Sequence, residues 1–253
     1  MAGMSNEGTA VAPSWGRRLV AEFVGTGLLV TVVVGSGIAA QRLSPGDIGL
    51  QLLQNSLATT LGLAILIVVL GPVSGAHLNP AVSLAEWVLG RGTGGGLNLR
   101  AAGAYALAQV VGGVAGAVLA NLMFEVPTTL ATTDRAGAGP LLAEVVATAG
   151  LVLVIFALTR SGRGRLVAPA VGAYIGAAYW FTSSTAFANP AVTIGRVFSD
   201  TFAGIAPASV LPFVLAQLLG AAIGVLAARF FYPAPAPAPR DRLPEAAVLA
   251  QRG

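Results

Sequence analysis

The chain lacks cysteine and lysine altogether, carries a single histidine, and has few charged residues of any kind. Without cysteine there are no disulfides and no thiolate metal sites, and a lone histidine is a poor basis for a metal centre. Only 9% of the 253 residues are charged while 55% are hydrophobic, whereas a soluble domain has about a quarter charged residues. We therefore predict a protein that crosses a lipid bilayer several times.

Two further classes of function are excluded by what is missing. All 14 basic residues are arginines and the pI is about 10.3, which alone would favour nucleic-acid binding. The arginines lie between apolar runs rather than on one face, so we predict no nucleic-acid partner. The sequence also offers no nucleophile–base pair, carboxylate dyad, metal cluster or phosphate loop, so we predict neither enzymatic activity nor a cofactor.

Six apolar runs have roughly the 20 residues that a helix needs to cross the hydrocarbon core. They are residues 17–40, 48–71, 101–124, 140–160, 166–182 and 208–232. The membrane domain is therefore predicted to occupy residues 15–232. The small and polar residues 1–14 and the Pro/Ala-rich residues 233–253 are predicted to be disordered.

Two short segments between the spans share the tripeptide Asn-Pro-Ala. The first is SGAHLNPAV at residues 74–82 and the second is SSTAFANPAV at residues 183–192. Asparagine is a good helix N-cap and proline suits the first helical turn, so each tripeptide predicts the start of a helix. The runs that follow are too short to cross a bilayer. We predict two re-entrant half-helices that begin at Asn79-Pro80-Ala81 and Asn189-Pro190-Ala191.

The two halves of the chain, residues 15–124 and 138–232, repeat the same order of polar residues. That order is an acid, an Asn-Pro-Ala and a glutamine, supplied by Glu22, Asn79 and Gln109 and then by Glu144, Asn189 and Gln217. Three spans per half invert the second copy, and inverted repeats place the working site at their interface near the midplane. Glycine pairs that would allow close helix approach occur at Gly112/Gly116, Gly172/Gly176 and Gly220/Gly224.

The arginines predict the orientation through the positive-inside rule. If the N-terminus is cytoplasmic, only Arg42, Arg135 and Arg196 of the 14 arginines fall outside. We therefore predict a multi-pass protein of the plasma or inner membrane with both termini in the cytoplasm. The two half-helices then enter from opposite sides and meet N-terminus to N-terminus.

That meeting predicts a narrow pore for uncharged solutes. Each half-helix carries about half a positive charge at its N-terminus, so two facing ends repel cations. Asn79 and Asn189 can donate amide hydrogens to a water molecule in the lumen, which then does not easily relay a proton. A coupled secondary transporter is the alternative, but the sequence has few ion-coordinating polar residues. Short loops argue against a structural or adhesive protein.

The motifs AEFVGT, SGAHLNPAV, LAQVVGG, AEVVAT, FANPAV and LAQLLG together resemble the aquaporin/glycerol-facilitator (major intrinsic protein) family over residues 15–232. The resemblance implies an all-α fold of six transmembrane helices and two re-entrant half-helices. It also implies a pore in every subunit of a homotetramer and passive conduction of water or small neutral solutes.

In this family the selectivity filter has four positions at the outer constriction, usually with an arginine three residues after the second asparagine. The positions that match here are Thr59, Ala177, Ala186 and Val192, with Thr60 and Leu61 as alternatives to the first. Because a valine replaces the arginine and no imidazole is present, the match implies a wide filter that is less guarded against ions.

With valine at this filter position, the sequence also resembles a bacterial subset of the family that is associated with arsenic-resistance operons. This resemblance implies passage of arsenous acid, and of methylated arsenicals and glycerol-like solutes, with some water. An ordinary water or glycerol channel is the alternative.

Four further residues have expected roles. Arg196, one helical turn beyond the filter valine, either supplies a filter charge from a new place or pairs with Asp200 or loop carbonyls. His77 is expected to brace its loop or line the pore mouth rather than to bind a metal. Glu22 and Glu144 are expected to accept backbone N–H groups from the re-entrant loops, the alternative being a proton relay.

Overall fold

The computed structural model describes residues 13–91 and 96–233, and all regular structure within these ranges is helical. The α-helices are α1 (Trp15–Leu43), α2 (Ile48–Ser74), α3 (Pro80–Gly90), α4 (Leu99–Met123), α5 (Ala138–Arg160), α6 (Val167–Phe181), α7 (Pro190–Gly195) and α8 (Pro207–Phe231). Short 3₁₀ turns at Gly164–Leu166 and Arg196–Phe198 precede α6 and follow α7. The predicted fold class is confirmed. The predictions of disorder concern residues 1–14 and 233–253, of which residues 1–12 and 234–253 lie outside the described residues.

Five of the six long helices, all except α6, have the length and hydropathy of membrane spans. α6 has 15 residues and is therefore about 22 Å long, shorter than a hydrocarbon core of about 30 Å. The 3₁₀ turn that leads into α6 extends this shorter segment at its N-terminal end.

Local sequence explains where several helices begin and end. Ser14, Asp47 and Asn98 each accept a backbone N–H from the first turn of the helix that follows them, as good N-cap residues do. Gly75 ends α2 in the left-handed region with φ 89°, and the chain turns there towards the first half-helix. Such an αL residue is the common way to end a helix.

Close contacts between paired helices join the spans within each half. α1 packs mainly against α4, and α5 packs mainly against α8. A Cβ atom added to Gly116 of α4 would overlap the carbonyl oxygen of Gly27 on α1. All six predicted glycines closely approach a neighbouring helix, namely Gly112, Gly116, Gly172, Gly176, Gly220 and Gly224. Gly172 and Gly176 of α6 approach Thr60 of α2 and so join the two halves. The close helix approach predicted from these pairs is confirmed.

The two half-helices α3 and α7 occupy equivalent places between the halves. Each begins with a proline, Pro80 or Pro190, directly after an asparagine N-cap with extended backbone. Each packs against both α4 and α8, which belong to different repeats. The long helices therefore hold the two short ones at the interface between the repeats.

Candidate functional site

The N-terminal ends of α3 and α7 meet through their asparagine side chains. The Oδ1 atom of Asn79 accepts the N–H two residues later in its own helix, and its Nδ2 atom donates to the carbonyl oxygen of Ala188 at 2.8 Å. Asn189 repeats this arrangement and donates to the carbonyl oxygen of Leu78 at 2.7 Å. Each asparagine therefore caps its own half-helix and binds the loop that leads to the other one.

The loops before the two asparagines share an unusual backbone conformation. Ala76 and Leu78 have φ angles of 46° and 50°, and Ala186 and Ala188 have φ angles of 49° and 46°. This left-handed region is uncommon for residues that carry a Cβ atom. The surrounding structure must therefore hold the four residues in place.

Glu22 lies behind the first loop and is fully buried. Its carboxylate accepts hydrogen bonds from the backbone N–H groups of His77 at 3.0 Å and Leu78 at 2.7 Å. It also accepts the Ser74 hydroxyl at 2.6 Å and the Gln109 amide at 2.7 Å. These bonds tie the first loop to helices α1, α2 and α4.

Glu144 makes the corresponding bonds to the second loop. It accepts the backbone N–H groups of Phe187 at 2.9 Å and Ala188 at 2.8 Å, together with the Gln217 amide at 2.6 Å. Neither Glu22 nor Glu144 is among the residues that line the cavity between the half-helices. Both carboxylates are thus placed to brace the loops by hydrogen bonding rather than to contact a solute.

That cavity has a volume of about 900 Å³ and passes both asparagine side chains. One end reaches Glu86 and Arg165, and the other reaches Arg196; we call these the Glu86 end and the Arg196 end. A side-chain amide has two N–H donors, and each asparagine uses one of them on the opposite loop. The second N–H of each remains for a molecule in the cavity.

Three of the four predicted filter residues line the Arg196 end, and one does not. Thr59, Ala186 and Val192 contact the cavity, which favours Thr59 over its neighbours at that position. Ala177 lies on the outward, exposed face of α6, so its assignment to the filter was wrong. Tyr179 takes that place: it lines the cavity and its hydroxyl is hydrogen-bonded to Thr59 at 3.1 Å. Two residues are about 200° of helix rotation, which moves a side chain to the opposite face.

Arg196 is buried, with 2% of its surface exposed, and lines the same end. Its Nε–H donates to the carbonyl oxygen of Ala203, and its guanidinium carbon lies 3.4 Å from the centre of the Phe187 ring. Pairing with Asp200 was the wrong alternative, because among the described residues the one ion pair within 4.0 Å joins His77 and Glu86, and Asp200 instead accepts the backbone N–H and the hydroxyl of Thr132. Arg196 therefore donates to a loop carbonyl and also faces the cavity.

His77 lies towards the Glu86 end. Its Nδ1 atom is 3.0 Å from the Ser83 hydroxyl, and its Nε2 atom is 2.5 Å from a carboxylate oxygen of Glu86. The ring also packs edge-on against Tyr105. His77 thus both braces its loop and lines the cavity. Among the described residues, no group of three or more histidines and acids is arranged to hold a metal.

Sequence reasoning missed Tyr179, although this residue left a signal. A tyrosine within an apolar span needs a partner for its hydroxyl, and Tyr179 continues the face of α6 formed by Val171 and Ile175. Phe187 is two residues before Asn189 and therefore belongs to the re-entrant loop. Nothing in the one-dimensional pattern indicated that it would support Arg196.

The family model for "Major intrinsic protein" matches residues 10–183. The chain belongs to the major intrinsic protein family. The aquaglyceroporin AqpS of Rhizobium meliloti (strain 1021) is 47% identical over 232 residues, which cover 91% of this chain and 97% of that protein. The glycerol uptake facilitator protein of Pseudomonas aeruginosa is 32% identical over 272 aligned positions, covering 90% of this chain and 95% of the facilitator.

A solved structure of another protein has the same fold as this chain. The aquaglyceroporin from Plasmodium falciparum superposes with a TM-score of 0.61 over 87% of this chain and 96% of that one, at 22% identity. Helix order, inverted repeat and paired half-helices are therefore the architecture of a major intrinsic protein.

Proposed function

We propose that the protein is a passive channel for small uncharged solutes, with the cavity between the half-helices as its lumen. The observation that carries this proposal is the meeting of two helix N-termini at Asn79 and Asn189 beside that cavity. Both ends carry partial positive charge and both asparagines retain an N–H donor for the lumen. A hydroxylated neutral solute can accept these donors in place of water, whereas a cation meets two positive ends.

The proposed solutes are arsenous acid and glycerol-like molecules, with methylated arsenicals and some water. The Arg196 end supports this choice because one part of its wall is small and apolar, at Ala186 and Val192, and another carries the hydroxyls of Thr59 and Tyr179. Such a wall suits a molecule with hydroxyls on one side and little bulk on the other. The similarity to an aquaglyceroporin and a glycerol facilitator supports solutes larger than water, and the valine favours arsenicals among them.

The decisive experiment measures solute flux into proteoliposomes by stopped-flow light scattering, with water, glycerol and arsenite compared at one protein density. Flux of glycerol and arsenite well above empty liposomes is expected. Arsenite flux equal to that of empty liposomes, with glycerol flux intact, would indicate that the protein is an ordinary water/glycerol channel. Saturable uptake driven by an ion gradient would instead indicate a coupled transporter.

A matched pair of substitutions tests where the filter lies. Val192→Trp adds an indole at the Arg196 end of the cavity, so glycerol and arsenite flux should fall much more than water flux. Ala177→Trp adds the same bulk on the outward face of α6 and should leave all three fluxes unchanged. If both variants, or neither, lose solute flux, the filter does not lie at Val192.

We further propose a homotetramer in the plasma or inner membrane, with a pore in each subunit and both termini in the cytoplasm. Exposed apolar side chains along α2, such as Leu57, Leu61 and Ile65, supply a surface for lipid or for a neighbouring subunit. The mass of the crosslinked complex in native membranes tests the assembly. Protease accessibility of a tag at either terminus, in right-side-out and inverted vesicles, tests the orientation.

A further inference from the structure

Two arginines, the buried Arg196 and the half-buried Arg135, converge on one aromatic ring at the Arg196 end of the cavity. The guanidinium carbons of Arg196 and Arg135 lie 3.4 Å and 5.3 Å from the centre of the Phe187 ring. Phe187 itself packs edge-on against Phe213, with ring centres 5.2 Å apart. An arginine over an aromatic face is an attractive arrangement, so the ring holds two positive charges near the lumen.

Backbone carbonyls fix both guanidinium groups. Arg196 donates to Ala203, while Arg135 donates its Nε–H to Gly204 at 2.8 Å and an Nη–H to Phe202 at 3.1 Å. The three acceptors are consecutive residues of the segment between α7 and α8. One stretch of backbone therefore sets the positions of two side chains, one from the 3₁₀ turn after α7 and one from the loop between α4 and α5.

The loop that supplies Arg135, between α4 and α5, is itself tied to this segment. The backbone N–H of Ala131 donates to the carbonyl oxygen of Val197 at 2.8 Å, and that of Ala206 donates to the carbonyl oxygen of Thr133 at 2.7 Å. Burial lowers the pKa of the Arg135 guanidinium below its ordinary value, but an arginine stays charged at neutral pH. The second positive charge is thus a built-in part of this end of the protein.

Neither arginine is neutralised by a contacting carboxylate. In residues 13–91 and 96–233, the one ion pair within 4.0 Å joins His77 and Glu86. The acids nearest in the chain are engaged elsewhere, since Asp134 accepts the Ser209 hydroxyl and Asp200 accepts Thr132. A positive charge that no carboxylate contacts, beside a narrow and weakly solvated passage, acts on any ion that enters it.

The position of the charge relative to Val192 matters as much as its presence. Arg196 lies four residues beyond Val192, about 6 Å along the helix axis, and on the same face. An arginine at residue 192 would both charge the passage and fill it. With valine there and the guanidinium one turn away, the passage keeps its width and the charge remains within reach of the lumen.

We propose that the stack of Arg135, Phe187 and Arg196 forms a second cation barrier at the Arg196 end, in addition to the facing half-helix ends, and that it separates charge selection from size selection. Arg196 faces the lumen, Phe187 positions it, and Arg135 adds a second charge. This inference rests on the proposed channel function. It replaces the expectation that loss of the filter arginine leaves the pore poorly guarded against cations.

The test measures cation leak and neutral-solute flux in the same proteoliposomes. Sodium or methylammonium conductance and proton leak report the barrier, and glycerol flux reports the open pore. Arg196→Gln keeps a donor for the Ala203 carbonyl but removes the charge, and should raise cation leak at least about tenfold without loss of glycerol flux. Arg135→Gln should raise the leak less, and Arg196→Lys, which keeps the charge, should stay close to wild type.

Arg42→Gln is the matched control. Arg42 also donates to a backbone carbonyl, that of Phe124, and lies over that residue's ring at 5.6 Å, but it does not line the cavity. Arg42→Gln should change neither the cation leak nor the glycerol flux. Unchanged cation leak in Arg196→Gln and Arg135→Gln, with glycerol flux present, would overturn the barrier. Absence of glycerol flux in the wild-type protein would instead overturn the channel function.

Discussion

Replacing Glu144 with glutamine tests whether a buried carboxylate holds the second re-entrant loop. The two oxygens of Glu144 divide three N–H donors between them: Oε1 accepts from Phe187, and Oε2 accepts from Ala188 and Gln217. A glutamine has one oxygen and one NH₂ group in nearly the same space. Whichever way the amide turns, its NH₂ group faces at least one N–H donor and cannot accept from it.

The magnitude follows from counting these bonds. A hydrogen bond to a charged group contributes about 1.5–3 kcal/mol and a neutral one about 1 kcal/mol. Glu144→Gln loses one bond outright and converts two charged bonds into neutral ones, so the loop loses about 3–5 kcal/mol of stabilisation. That is comparable with the backbone strain of the loop, since left-handed residues such as Ala186 and Ala188 cost on the order of 1–3 kcal/mol each.

The assay is thermal unfolding in detergent, read together with glycerol flux. At about 2–4 °C per kcal/mol for a chain of this size, Glu144→Gln should lower the unfolding temperature by roughly 10 °C. Its flux should fall because Asn189 follows the loop directly and is positioned by it. Glu22→Gln removes the same support from the first loop and should behave alike.

The control is Glu125→Gln, which changes an exposed carboxylate at the end of α4 and should alter neither quantity. If Glu144→Gln unfolds at the wild-type temperature and conducts normally, then the carboxylate does not brace the loop. The left-handed conformation would then have to be held by the asparagine contacts alone.

Two further predictions concern the helix contacts and the filter. Gly116→Val places a side chain against the carbonyl oxygen of Gly27 and should destabilise the α1–α4 pair by about 1–3 kcal/mol or more. The control Gly103→Val, with no atom within 4 Å of its Cβ position, should keep the wild-type unfolding temperature. Equal changes of the unfolding temperature in the two variants would contradict the close approach at Gly116. Tyr179→Phe removes the hydroxyl bound to Thr59 at 3.1 Å and should cost about 1 kcal/mol while changing the ratio of glycerol to water flux. An unchanged ratio would mean that this pair does not touch the solute.

The filter shows why part of the site escaped prediction. Counting along the chain from an asparagine reaches the correct turn of a helix, and Ala186 and Val192 lie in the same rigid loop and half-helix as Asn189, so they line the cavity as counted. Tyr179 lies in α6, and a turn separates it from Asn189. The rotation of α6 about its own axis depends on how it packs against α2, and an error of two residues reverses the face.

Arg196 illustrates the same limit for a charged residue. Its spacing of four from Val192 placed it on the correct face of the half-helix. Whether it turned to Asp200, to a carbonyl or to the lumen depended on the segment that follows α7. The carbonyl of Ala203 and the ring of Phe187 decide this, and both reach Arg196 only once the chain has folded.

The sequence alone determined the membrane class, the six long helices, the inverted repeat and the two half-helix starts. These features depend on local hydrophobicity, helix capping and spacing, which act over a few turns of one helix. Only the tertiary structure decided which faces line the cavity and which buried charges remain without a contacting partner. Those outcomes depend on distances between atoms far apart in the chain, and a linear pattern of residue types does not contain these distances.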